Sequence, residues 1–211
     1  TYKVVPPDCI YAIAKKVESQ PTPDWVKDIN TLDEFYADEA PSDLTDKYDN
    51  IKVIGDVHGC FNSLTNAILP LDPQTLYVFC GDYLDRGVQN KEMLNWVIEH
   101  RHDHNIIWLE GNHERHIRSW LDNCSSLMSK DAIRSMSEAT EDMNDSEINA
   151  LKENMRSFVS ELRAHFVFKY DGVTYLVSHA GVSAMPEHLH DVPAHNFIFG
   201  VGKYETQIDE L

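Results

Sequence analysis

Hydrophobic and polar positions change their spacing along this chain at a few well-marked points. Up to residue 47 apolar residues are sparse and weakly periodic, broken by Pro21, Pro23 and Pro41 and ending in the acidic, turn-rich stretch DEAPSDLTDKYDN. That pattern predicts an appended linker over 1–47, with a short helical candidate at 7–17. Trp25, Phe35 and Tyr36 predict that it docks on a domain surface. From Tyr48 a different pattern begins. IKVIG is short, β-branched and ended by glycine, as expected of a buried parallel strand, and FNSLTNAIL after it carries apolar residues at helical spacing. The same pairing recurs in LYVFCG with NKEMLNWVIEH and in IIWLEG with ERHIRSWL. Three strand-helix units predict an α/β layered fold.

The polar, acidic stretch 124–145 contains no strand pattern and predicts either a helical insertion or a lid. Over 146–165 the residues Ile148, Leu151, Met155, Phe158, Val159 and Leu162 form one helical stripe, with Ser146 placed as N-cap. FVFKY and VTYLVSH flank Asp171-Gly172, a dipeptide that favours a tight hairpin turn.

Composition sets the class. With 211 residues, 42% hydrophobic and 25% charged, the chain can bury a core of ordinary size. No run of about 18 uncharged apolar residues occurs, and the start lacks the order of a signal peptide, so a cytoplasmic protein without membrane contact is expected. Cys9, Cys60, Cys80 and Cys124 form no CxxC pair, which argues against a disulfide scaffold or a zinc ribbon. The net charge of −17 argues against a non-specific nucleic-acid coat but leaves nucleic-acid substrates open. The start at Thr1 and the stop just after a glycine-rich stretch predict an excised part of a larger multidomain chain.

In open α/β sheets ligands collect at the carboxyl ends of strands. Polar residues cluster at those ends: GDVHG after the first strand, GDYLDRG after the second, GNHE after the third, and SHAG at the end of the hairpin. Asp56, Asp82 and Asn112 lie about one strand-helix-strand unit of roughly 30 residues apart, so they arrive at one sheet edge. With His58 and His179 they offer carboxylate, carboxamide and imidazole, a mixed N/O set suited to manganese, iron or zinc. Two such ions could clamp a phosphate ester. Arg86 could hold the phosphate as a planar fork. His113 could protonate the leaving oxygen, with Asp85 orienting it.

These four ordered motifs closely resemble the calcineurin-like metallophosphoesterases, and within them the phosphoprotein-phosphatase type, from about Ile51 to Gly181. The resemblance implies central β-sheets flanked by helices, spanning 48–211. It also implies two divalent ions, manganese first among manganese, iron, zinc and nickel. Asp56, His58 and Asp82 would hold one ion and Asp82, Asn112 and His179 the other, with Arg86 on the phosphate and His113 with Asp85 as the proton-donating pair. Hydrolysis would proceed by attack of metal-bound hydroxide. The family places one more ligand histidine in an HGH-like motif. No such motif is present, and His188, His190 and His195 come too soon after His179, so the missing ligand is expected beyond Leu211 and the domain is expected to be incomplete at its C-terminus.

YKVVPPDCIYAIAKK, PTPDWVKDIN, GNHERH and GVGKYE are similar to segments of bacterial and phage polynucleotide kinase-phosphatases. That second resemblance implies that 1–47 is the tail of a kinase-like domain. It favours a nucleic-acid end, a 3′-phosphate or 2′,3′-cyclic phosphate, over a phosphoprotein as substrate. The competing readings are a Ser/Thr protein phosphatase with the same metal chemistry and a non-catalytic interaction module. Arg115, His116 and Arg118 are read either as substrate contacts, Arg115 first, or as a solvated helix face. The histidines of 100–104 read as solvated, GVGKY lacks the spacing of a phosphate loop, and Met128, Met136 and Met143 read as packing residues.

Overall fold

Thr75–Phe79 (β3) alternates its side chains between two apolar surroundings, which is why its sequence is apolar almost throughout. In the computed structural model, which describes residues 41–182 and 188–201, all five of its residues are buried. Leu76 and Val78 face one cluster, and Tyr77 and Phe79 face the other. β3 is the middle of a three-stranded parallel sheet, between Asn50–Ile54 (β2) and Ile106–Trp108 (β4). The connecting helices are Phe61–Ile68 (α1) and Asn90–His100 (α2), and Glu114–Leu121 (α3) follows β4. The three strand-helix units expected from periodicity are all present.

β2 corrects one expectation. Its residues are exposed or half-buried, and Val53 is 54% exposed, because among the described residues the strand has a neighbour on one side alone.

A second sheet joins Ser42–Asp43 (β1), His165–Tyr170 (β5) and Val173–Ser178 (β6). β5 and β6 form the expected hairpin, closed by Asp171 and Gly172 at φ 48° and 77°. Two successive positive φ values are what a right-twisted two-residue hairpin needs. β1 pairs parallel with β5, and Leu44 and Tyr48 are buried in the cluster between the sheets with Leu76, Val78, Leu109 and Phe168. Of the described residues before Tyr48, Leu44 alone is buried, so the end of the stretch expected as linker is anchored in the core by one side chain while its neighbours stay exposed or half-buried. The described residues all belong to one compact unit. The helical candidate at 7–17 and the aromatic residues Trp25, Phe35 and Tyr36 lie outside the described residues.

The stretch 124–145 is a helical insertion. A 3₁₀ turn at Ser125–Leu127 leads to Lys130–Thr140 (α4), capped by the Ser129 hydroxyl, which accepts from the Ala132 N–H. Ala132, Ser135, Met136 and Ala139 are buried, and α4 packs on α2 and α3. Its apolar face is spent on the core, so it is not a lid. Met136 lies in the core and Met128 and Met143 pack against it, as expected.

The long helix runs over Asp145–Glu161 (α5) and is capped by Asn144, not Ser146. The Asn144 side chain accepts from the Ser146 and Glu147 N–H groups, and the Glu147 carboxylate accepts from the Asn144 N–H, a reciprocal box that a cap at Ser146 would lack. The helix stops before 165 because Leu162 turns extended and the Arg163 N–H pairs with the Trp108 carbonyl. Replacing Asn144 by Ala should lower the free energy of urea unfolding by about 1 kcal/mol, whereas Ser146→Ala should change it by less than about 0.5 kcal/mol. Equal losses would return the cap to Ser146. After the hairpin come a 3₁₀ turn at Leu189–Asp191 and Ala194–Phe199 (α6), with Phe197 and Ile198 buried. Among the described residues no helix is long and apolar enough to cross a membrane.

Candidate active site

The loops leaving β2, β3 and β4 are drawn together by their backbones. The His58 N–H donates to the Asp82 carbonyl at 2.8 Å, and the Gly59 N–H to the Tyr83 carbonyl at 2.9 Å. At Gly81, φ is 101° and an added Cβ would lie 2.2 Å from the Gly111 nitrogen, so only glycine lets the second and third loops meet. Of the six non-glycine residues with positive φ among the described residues, four are site candidates: His58, Asp82, Asp85 and Arg86. Left-handed backbone at side chains of this kind persists only where surrounding contacts hold it.

Glu114 supplies such contacts. It is 0% exposed, and its carboxylate accepts from the backbone N–H groups of Asp82 at 2.9 Å, Gly111 at 2.7 Å and Tyr83 at 3.1 Å. Burial pushes its carboxyl up to about 7, and the nearby Asp82 carboxylate adds to that, while the three N–H donors pull it down. Glu114 is not among the residues singled out from sequence, where it reads as an acid in the first turn of α3.

Asp82 lies at the centre, 1% exposed. The Nδ1–H of His58 donates to the Leu84 carbonyl at 2.9 Å, since a carbonyl can only accept. This leaves the Nε2 lone pair of His58 at 3.4 Å from Asp82 Oδ2 and 3.6 Å from Asp56 Oδ2, buried and without a hydrogen-bond partner. On the other side the Nδ1–H of His179 donates to the Cys80 carbonyl at 3.0 Å. Its Nε2 stands 3.0 Å from Asn112 Oδ1 and 3.7 Å from Asp82 Oδ1. Lone pairs on five side chains thus face one another, an arrangement that repels itself unless cations lie between them. The second-layer carbonyls fix both imidazoles as metal-ready tautomers. These residues fit divalent ions.

Asp56, His58, Asp82, Asn112 and His179 are therefore all brought together. The ligand atoms of Asp56, Asp82 and His179 lie within 4.8 Å of one another, and so do those of His58, Asp82 and His113. His188 and His195 are not in these groups among the described residues.

His113 and its neighbours form a second layer of polar contacts. Its Nδ1–H donates to Asp85 Oδ2 at 2.8 Å, and its Nε2 accepts from Arg86 Nη2 at 3.2 Å. Asp85 is 3% exposed, whereas Arg86 is exposed. Arg86 can therefore turn outward without unpairing a buried charge.

Arg115, His116 and Arg118 part company on α3. Arg115 is exposed with its guanidinium 5.7 Å from the Phe199 ring centre. His116 is buried, its imidazole held less basic by burial, and it packs edge-on to His113. Arg118 forks onto Glu110 at 3.0 and 3.2 Å and donates to the Val159 carbonyl, so it is a structural ion pair. In the 100–104 run, His100 pairs with Asp103 at 2.7 Å and His102 with Glu161 at 3.6 Å.

The parallel strands of one sheet and the antiparallel hairpin of the other together deliver this N/O acceptor set, beside a carboxylate-histidine-arginine chain, and define the site of a metal-dependent phosphoesterase class. Residues 50–209 match the calcineurin-like phosphoesterase family, and the chain belongs to it. Serine/threonine-protein phosphatase PP2A-like PPG1 of Candida albicans is 38% identical over 68 residues, covering 30% of this chain and 16% of that protein. A solved protein serine/threonine phosphatase from Saccharomyces cerevisiae, with similarity to human phosphatase PP5, is 25% identical with a TM-score of 0.48. That likeness covers 72% of this chain and 44% of that one. The chain thus spans less than half the length of each of these relatives. The similarity to polynucleotide kinase-phosphatases is not among these findings.

Proposed function

We propose that this chain carries a metal-dependent phosphomonoesterase whose substrate is phosphoserine or phosphothreonine in a protein. The observation that carries the reading is the continuous chain from Asp85 through His113 to Arg86, set beside acceptors centred on Asp82. Asp56, His58 and Asp82 would hold one divalent ion and Asp82, Asn112 and His179 a second. Ions there would supply positive charge to the phosphate oxygens and a more acidic water. Manganese fits this donor set, as do iron, zinc and nickel.

The side chains divide the remaining work. Arg86 leaves His113 Nε2 to fork onto the phosphate, which frees that nitrogen for a proton. Asp85 keeps Nδ1–H in place and so holds the ring with Nε2 toward the phosphate site. His113 then gives the Nε2 proton to the leaving oxygen of serine or threonine, whose alkoxide is a poor leaving group without it. Arg115, exposed in the first turn of the helix that follows His113, is the proposed contact to groups flanking the phosphate.

The phosphoprotein reading is supported by the 38% identity to a Ser/Thr protein phosphatase and by the −17 charge, which disfavours polyanions. The nucleic-acid-end reading rests mainly on segments in 1–40 and 202–211, outside the described residues. Of its described segment, GNHERH, His116 is buried. Phosphate release from a phosphoserine peptide and from an RNA 3′-phosphate, side by side with manganese and with Asp82→Asn as blank, tests the choice. Release from the peptide alone is expected. Release from RNA alone would reverse the reading, and release from neither, with no manganese bound, would leave an interaction module.

A further inference from the structure

Asn90 opens α2, and its side chain is turned back into the loop that carries Asp85 and Arg86. It is 1% exposed. Its Oδ1 accepts from the Asp85 N–H at 2.9 Å, and its Nδ2 donates to the Gly87 carbonyl at 2.9 Å, so one carboxamide spans the turn from both sides. Between those two contacts the backbone passes through two successive left-handed side-chain-bearing residues, Asp85 at φ 77° and Arg86 at φ 57°. L residues stay in that region only when they are held. The seat is closely fitted: a Cβ on Gly59, at φ 67°, would lie 2.4 Å from Asn90 Oδ1. The Gly87 N–H completes the clamp by donating to the His58 carbonyl at 2.8 Å.

We propose that Asn90 is a positioning residue for both halves of the phosphate-handling loop. By bridging Asp85 and Gly87 it aims the Asp85 carboxylate at His113 and the Arg86 guanidinium at the phosphate. The inference rests on the phosphomonoesterase reading above. Alanine at this position removes the partner of a buried N–H and of a half-buried carbonyl, and the two left-handed residues relax toward ordinary backbone. The damage falls on Arg86 and on His113 through Asp85, not on the ligands around Asp82.

Three measurements on the full chain test this. With manganese, Asn90→Ala should lower kcat/KM for an alkyl phosphate by about 10²-fold, through both a raised KM and a lowered kcat, as expected for a displaced reacting group. The loss for nitrophenyl phosphate, which needs little protonation, should be smaller. In a chain already carrying Asp85→Asn and Arg86→Ala the same substitution should cost less than about threefold, since its two targets are gone. Equal losses in both backgrounds would overturn the inference and mark Asn90 as a general stabiliser. The third measurement needs no turnover. In the ¹⁵N-histidine NMR spectrum the Nδ1–H of His113, held by Asp85, should be protected in the parent chain and lost in Asn90→Ala. A signal that persists overturns the inference. A parent chain that shows the signal yet releases no phosphate from either substrate sinks the phosphomonoesterase reading alone.

Discussion

Asp82→Asn is expected to lower phosphate release by at least about 10³-fold, with the fold retained. Asp82 presents one carboxylate oxygen to His58 and the other to His179, so it is the one side chain shared by both candidate ion sites. Its loss removes the negative charge that each ion faces, and electrostatic terms of that kind amount to several kcal/mol, or about three powers of ten in rate. The fold should survive for two reasons. Asparagine enters left-handed backbone more readily than most residues, and Asp82 sits at φ 55°. Its side-chain oxygen can still accept from the His113 N–H, as Asp82 Oδ1 does at 2.9 Å. Manganese stoichiometry by electron paramagnetic resonance, read beside the rate, should fall from two ions per chain. An Asp82→Asn chain that stays active with both ions bound would remove Asp82 from the centre of the site.

His113→Ala should split substrates by their leaving group. For phosphoserine the loss is expected at about 10²–10⁴-fold, the contribution of a well-placed general acid. For nitrophenyl phosphate it should be within about tenfold, because nitrophenolate departs without a proton. The geometry behind this is the Asp85 contact at Nδ1 and the exposed Arg86 at Nε2, which leave one nitrogen to donate once the guanidinium turns to the phosphate. Equal slowing of both substrates would assign His113 to ion binding instead, where its grouping with His58 and Asp82 would put it.

Much of this site was legible along the chain because its residues sit at strand ends, where glycine and aspartate interrupt apolar runs at regular intervals. The period of those interruptions alone placed Asp56, Asp82 and Asn112 on a common sheet edge. Asn90 and Glu114 escaped for a shared reason. Each acts through hydrogen bonds to backbone atoms, and such contacts leave no residue-type signature: Glu114 reads as an ordinary first-turn acid and Asn90 as an ordinary helix start.

The fold divides along the same line. Periodicity determined the three strand-helix units, the hairpin at Asp171-Gly172 and the stripe of α5, since each depends on residues near in sequence. Which strand lies at an edge, and so why Val53 is exposed although IKVIG looks buried, depends on neighbours the local pattern does not encode. Leu44 looks like a linker residue until β5 comes alongside. The sequence by itself thus determined the elements and the chemistry carried at their ends. Tertiary structure alone decided the seating of Asp85 and Arg86, the buried carboxylate under Asp82 and the fate of Arg118, because each depends on partners up to more than forty residues away in the chain, which the local pattern does not encode.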